Sequence, residues 1–296
     1  MELQFRNICK SFGEKRVLRE VGFTAEGGKA FGLLGRNGAG KTTSIRILMN
    51  VFPADSGEVL LDGEPIRREI RTFGYLPEER GLYPKKKVLE QLTYFAELKG
   101  MARKDAVRAV DGWLERLGMA DCRNKRLDTL SKGNQQKIQL ITALAHDPPI
   151  IILDEPFSGL DPVNARLLKD VVREEIARGK IVLFSSHQMN YIEEFCDSIA
   201  ILNGGKVVLS GNLQEIKRAY PRDRLTVRSR QCGEIGALLG ERCTPDGPDG
   251  LLIRLDSPDD KPEVMRTLTE RFDLDELRVF EPSLNDIFVS CATEKA

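Results

Sequence analysis

Between residues 29 and 220, short apolar runs alternate with longer stretches in which apolar residues recur every three or four positions. KAFGLLG precedes TTSIRILMNVF, IIILDEP precedes DPVNARLLKDVVREEIARGK, and KIVLFSSH precedes NYIEEFCDSI; IAIL and GKVVLSG close the series. The short runs read as strands buried on both faces, and the longer spacing reads as helix. Such alternation predicts an α/β fold with a mostly parallel sheet covered by helices on both sides. One segment, about 84–147, departs from it. LEQLTYFAELKG, KDAVRAVDGWLERLG and NQQKIQLITALAH predict a helical insert standing off the sheet.

The helical pattern at LQEIKRAY stops before Pro221, since the residue ahead of a proline is pushed away from helix. This puts a boundary near 217 to 222. Beyond it TVRS, GLLIRLD and LRVF read as strands, and GEIGALLG, KPEVMRTLTERF and SLNDIFVS as helices. The expected organisation is a larger α/β domain over 1–218 and a small α+β domain over 222–296. Charge divides along the same line, with acid in excess after residue 221 and base in excess before it.

Composition narrows the classes of function. The 296 residues carry 45 Lys+Arg against 45 Asp+Glu, with 41% hydrophobic and 30% charged residues, enough apolar material for a sizeable core. Zero net charge gives no strong field for nucleic acid or anionic lipid. No apolar stretch approaches the ~20 residues that cross a bilayer, and the start MELQFRNICK lacks the apolar run of a secretion signal. The chain is therefore expected in the cytosol. Six cysteines without Cys-x-x-Cys spacing read as reduced packing residues, and two histidines exclude a histidine-rich metal site.

The densest chemistry lies in Gly35 to Thr43, GRNGAGKTT, which matches G-x-x-x-x-G-K-[ST] between an apolar strand and a helix beginning near Lys41. Its glycines, Gly35, Gly38 and Gly40, with Arg36, Asn37 and Ala39, would let backbone N–H groups face phosphate oxygens. The helix N-terminus adds partial positive charge. Lys41 would reach the β and γ phosphates of ATP, the Thr42 hydroxyl would bind Mg²⁺, and Thr43 completes the match. A second apolar strand ends in Asp154 and Glu155, two carboxylates at the sheet edge where ligands of open α/β folds collect. Asp154 suits Mg²⁺ through bound water, and Glu155, one residue on, suits a general base. His187 follows a third strand at the same edge and could meet the γ-phosphate or the attacking water. His146, in LAHDPP, reads as a histidine at a helix end.

Taken in order, the loop at 35, LSKGN at 130 to 134, ILDEP at 152 to 156, SGLD at 158 to 161 and His187 resemble the ATP-binding subunit of an ABC transporter over about residues 1 to 215. The resemblance implies two such domains closing head to tail, as a homodimer or with a paired subunit. Each ATP would lie between one phosphate loop and the other subunit's signature segment. Ser131, Gly133 and Asn134 would then serve the nucleotide across the interface, beside a helix expected to start near Asn134. Asp161 would belong to a loop linking the two sites. Phe12 stands where the family stacks a ring on adenine, and Val17 would add apolar contact to the base.

Two positions depart from the family pattern: LSKGN replaces LSGGQ, and Glu78 in GYLPEERGLYP replaces the glutamine that joins Mg²⁺ and the attacking water to the membrane partner. Glutamate also accepts from water and binds Mg²⁺. GYLPEERGLYPKKKVLEQL together with the ending FEPSLNDIFVS is similar to a narrower branch, bacterial exporters of sodium, drugs and antimicrobial peptides. In that branch the permease is a separate membrane protein, which implies peripheral attachment at the inner face of the cell membrane. The leading expectation is an ATPase driving export. Two alternatives are a soluble ABC ATPase acting on ribosome or DNA, and a nucleotide-dependent binding module with little hydrolysis.

Overall fold

The computed structural model describes residues 1–66, 72–79, 81–157, 160–186, 188–221 and 223–293. His187 and two residues of the SGLD segment, Ser158 and Gly159, lie outside the described residues. The chain divides into two compact units, one comprising Met1–Leu213 and the chain from Ser290, the other Gln214–Val289.

In the first unit β1 (Glu2–Phe12), β2 (Lys15–Glu26) and β3 (Ala30–Gly35) lead into α1 (Lys41–Leu48). Next come β4 (Ser56–Leu61), β5 (Glu64–Pro65) and β6 (Phe73–Leu76), then the helical insert of α2 (Val88–Leu98), α3 (Arg103–Arg116) and α4 (Lys132–Leu144). β7 (Ile150–Asp154), α5 (Pro162–Ala177), β8 (Ile181–Ser186), α6 (Met189–Phe195), β9 (Ser198–Asn203) and β10 (Lys206–Asn212) complete it. Helix α7 (Leu213–Ala219) follows.

Six strands form the central sheet in the order β10-β9-β3-β8-β7-β6, parallel except for the β9–β10 pair. Every residue of β3, β7 and β8 is buried, as expected of parallel strands covered on both faces. Because these strands run the same way, Gly35, Asp154 and Ser186 emerge at one edge.

A second sheet, antiparallel in the order β2-β1-β4-β5, goes beyond the single parallel sheet that the strand–helix alternation predicts. Its strands bury one face, so polar residues interrupt their apolar runs: Leu3 and Phe5 are buried while Arg6 is exposed. Phe5 stacks on Phe23 at 4.3 Å between ring centroids, and Phe23 on Phe31 of β3 at 4.9 Å, which joins the two sheets in one core. The β1–β2 hairpin pairs Phe12 with Lys15, and Gly13 takes the left-handed backbone (φ 59°) that this tight reversal needs.

In the helical insert Val88, Leu92 and Ala96, then Ala106, Val110 and Leu114, are buried at the spacing of one helix face. Helix α4 begins at Lys132, two residues earlier than the expected start at Asn134. Ser131 acts as its N-cap, accepting the Asn134 N–H at 3.3 Å, so the first turn forms before the asparagine.

The second unit holds β11 (Arg224–Arg228), α8 (Cys232–Leu239), β12 (Cys243–Pro245), β13 (Gly250–Arg254), α9 (Lys261–Arg271) and β14 (Glu276–Val279), and α10 (Leu284–Thr293) runs on from it. Its antiparallel sheet has the order β12-β13-β11-β14, and Leu225, Val227, Ile235, Ile253 and Leu268 form its core. The six cysteines form no disulfide bond. Among the described residues no helix is long and apolar enough to cross a membrane.

Candidate nucleotide site

The loop after β3 turns at Gly35 and delivers the chain to α1 through Gly40, whose φ of 112° and close neighbours admit glycine alone without strain. A Cβ there would stand 2.5 Å from Leu18 Cδ2. Arg36, Asn37 and Gly38 are exposed, whereas Ala39 is buried beneath them. Lys41 opens the helix. Its Nζ donates to the Gly35 carbonyl at 2.6 Å and the Arg36 carbonyl at 3.5 Å, folding the side chain back over the loop. Burial holds its ammonium below the ordinary lysine value, opposed by the charges of Glu155, Asp154 and Glu78.

A cavity of about 550 Å³ brings the predicted groups together. Its wall contains Arg36, Asn37, Gly38, Gly40, Lys41, Thr42 and Thr43 from the loop, Phe12 and Val17 from the hairpin, and Glu78, Asp154 and Glu155. Phe12 is half exposed, its ring perpendicular to that of Phe52 at 5.4 Å between centroids, with Lys10 Nζ over it at 5.6 Å. Gly35 and Ala39 support the loop from below. Lys15, which the sequence reading passed over, also lines the cavity beside Phe12; their pairing across the hairpin is what brings it there.

The two strand-end carboxylates are both buried but held differently. Asp154 accepts from the Tyr75 hydroxyl at 3.4 Å. Desolvation pushes its carboxyl above the ordinary aspartate value, and the neighbouring Glu155 charge adds to this against the pull of Tyr75 and Lys41. The Tyr75 phenol is in turn raised to about 12, by burial first and the Asp154 charge second. Glu155 sits in left-handed backbone (φ 49°), a strained position for a side chain of its size. Its N–H donates to the Ser185 carbonyl at 2.8 Å, and Ser186 Oγ donates to its Oε2 at 2.9 Å. Tyr75 and Ser186 carry no motif of their own and went unread in the sequence.

Ser131, Gly133 and Asn134 do not line this cavity. They lie at the start of α4 against the start of α5, where a Cβ on Gly133 would meet Asn164 Nδ2 at 2.6 Å. Asp161 caps α5, its Oδ1 accepting the Val163 and Asn164 N–H groups at 3.0 Å each. His146 is buried away from the cavity, with Nε2 3.0 Å from the Phe73 carbonyl.

The donor chemistry fits a magnesium-bound triphosphate. Thr42, Glu78 and Asp154 offer hard oxygens, while Lys41 and a helix N-terminus supply positive charge. Among the described residues no three His, Cys, Asp or Glu side chains cluster tightly enough to hold a metal by themselves. A Mg²⁺ ion here would depend on phosphate oxygens as well.

A strand, a glycine-rich loop closed by Lys-Thr at a helix start, and acids from neighbouring parallel strands define a P-loop nucleoside triphosphatase. Comparison with known proteins narrows the class. Residues 18–158 match the ABC transporter family, and residues 211–292 match the C-terminal domain of DrrA1-3-like ATP-binding proteins. The chain is 41% identical over 289 residues to the uncharacterized ABC transporter ATP-binding protein YhaQ of Bacillus subtilis (strain 168), covering 97% of each chain. It is 32% identical to the linearmycin resistance ATP-binding protein LnrL of the same organism, covering 72% of this chain and 70% of that one. A solved structure of an ATP-binding subunit of an ABC transporter is similar at a TM-score of 0.67 and 30% identity, covering 74% of this chain and 92% of that one. The protein belongs to the ABC transporter ATP-binding subunits, ATP-binding and ATP-hydrolysing members of a transport machine.

Proposed function

We propose that this chain drives export through a separate membrane permease, hydrolysing ATP at the interface of a head-to-tail dimer. The observation that carries the reading is the convergence of Lys41, Asp154 and Glu155 on the cavity whose mouth is marked by Phe12. Adenine stacks on Phe12 against Val17. The loop from Gly35 to Thr43 surrounds the phosphates, and Lys41 leaves the Gly35 carbonyl for the β and γ oxygens. Thr42, Glu78 and Asp154 would hold Mg²⁺, which would offset charge on those oxygens. Glu155 takes a proton from a water as its oxygen attacks the γ-phosphorus and the bond to ADP breaks, leaving ADP and phosphate. His187 is assigned to the γ-phosphate or that water.

Ser131, Gly133 and Asn134 of one subunit face the nucleotide of the other, so a monomer holds half of each site. Residues 1–218 form the motor and 222–296 an accessory domain. A second cavity of about 490 Å³, with Phe73, Leu82 and Phe95 in its wall, borders the partly exposed Val51 and Leu98. Such an apolar concavity suits a docking segment of the permease, which would hold the chain at the inner face of the cell membrane. Kinship to a linearmycin resistance ATP-binding protein supports export, and zero net charge lends nothing to the ribosome or DNA alternative.

Glu155→Gln tests the reading. The variant should bind ATP as the wild type does, accumulate as a closed dimer and lose turnover. Hydrolysis at the wild-type rate would remove Glu155 as the base.

A further inference from the structure

Helix α4 starts with the Ser131 cap and carries, two turns on, a glutamine that is 3% exposed. Gln139 Nε2 lies 3.0 Å from the Pro77 carbonyl and 3.2 Å from the Glu79 carbonyl. A primary amide has two hydrogens to donate, and here both go to the peptide groups that bracket Glu78. One turn earlier on the same helix, Gln136 Nε2 donates to the Pro156 carbonyl at 3.1 Å, next to Glu155. Two side chains three residues apart thus fasten the backbone beside both acids to one helix.

We propose that Gln139 is a positioning residue for Glu78: it holds the 77–79 backbone so that the carboxylate stays at the cavity wall, and it ties that carboxylate to the helix bearing Ser131. The inference rests on the reading of Glu78 as a ligand of Mg²⁺ and the attacking water. Nothing in the amphipathic pattern of α4 marks position 139, because its partners are 60 and 62 residues away. A glutamine buried for packing alone would not need both hydrogens aimed at alternate carbonyls. Without them the loop keeps its sequence but loses its anchor.

The test uses the full chain. Gln139→Met preserves length and volume and removes both donors. We expect kcat about tenfold lower and KM for ATP within about twofold of wild type. Equilibrium ATP binding should be unchanged, and amide hydrogen exchange over residues 74–79 faster in the nucleotide-free protein. In a Glu78→Ala background, the same substitution should lower the residual kcat no further, because the group it positions is gone. A tenfold loss that persists in that background would show a general structural role and overturn the proposal, as would a kcat unchanged by Gln139→Met alone. Should Gln139→Met not fold, the isosteric Gln139→Glu enters the same cycle and is read the same way. If Glu155→Gln proves inactive while the Gln139 cycle is additive, this inference fails and the site reading stands. If Glu155→Gln turns over normally, the site reading itself fails.

Discussion

Ser186 Oγ donates to Glu155 Oε2 at 2.9 Å and accepts the Gln188 N–H at 3.0 Å. One hydroxyl therefore fixes a carboxylate oxygen against the backbone that follows β8. The contact aims an acid already set in left-handed backbone at the cavity wall. Ser186→Ala should lower kcat about three- to tenfold with little change in ATP affinity, since the phosphate loop is untouched. Ser186→Thr, which keeps the hydroxyl, should recover most of the rate. Equal rates for the alanine and threonine variants would show that the hydroxyl does not aim Glu155.

Asp154 is a stability cost of the folded chain. Its carboxyl is raised by burial, so the folded chain resists the charged form, and stability falls as pH climbs through the raised value. Above that value the charge is present and the cost is in force. Asp154→Asn keeps an acceptor for Tyr75 and removes the charge. In nucleotide-free protein it should raise Tm by a few degrees while abolishing magnesium-dependent hydrolysis. Calorimetry without nucleotide checks the first half, and an unchanged or lower Tm would mean that Asp154 is well solvated.

What could be read from the sequence was local. GRNGAGKTT carries its own turn, helix start and donors within nine residues, so the site appears in the string itself. The acids at 154 and 155 followed from an apolar strand that ends in charge. Tyr75 with Asp154, Ser186 with Glu155 and Gln139 with Pro77 were not legible, because they join residues 79, 31 and 62 positions apart. Their partners are chosen by the strand order β8-β7-β6 and by the packing of α4 on β6. The antiparallel sheet escaped for another reason. Its period of two is broken by register shifts in β1 after Phe5, so the alternation is short where it is regular.

Gly40 tests the loop geometry without touching a charged group. Its φ of 112° is a conformation that side chains rarely adopt, and a Cβ would press on the fully buried Leu18. Gly40→Ala should destabilise the protein by more than about 1 kcal/mol and weaken ATP binding, because the strain is relieved by moving the amides of the loop. Denaturant unfolding and nucleotide titration should change together. Wild-type values for both would mean that the turn accommodates a methyl group.

His146 makes stability depend on acid. Desolvation lowers its imidazole from the usual value near 6.5 to about 4, with Lys99 and Lys180 pushing the same way and the Phe73 hydrogen bond and Asp147 opposing. The folded chain thus keeps it neutral, with Nε2–H donating to Phe73 and Nδ1 left without a partner. Unfolded chains take up the proton below about 6.5 while folded chains do not until about 4. Stability is therefore full above 6.5, falls as pH drops through that window, and levels out below it. The integrated loss is about 3 kcal/mol. His146→Gln keeps a donor for the Phe73 carbonyl and cannot titrate, so its unfolding free energy should fall less steeply between pH 6.5 and 4 than that of the wild type. Carboxylates titrating in the same window cancel in the difference between the two proteins. Parallel curves for the two would place the proton on the folded histidine and return its pKa to the ordinary range.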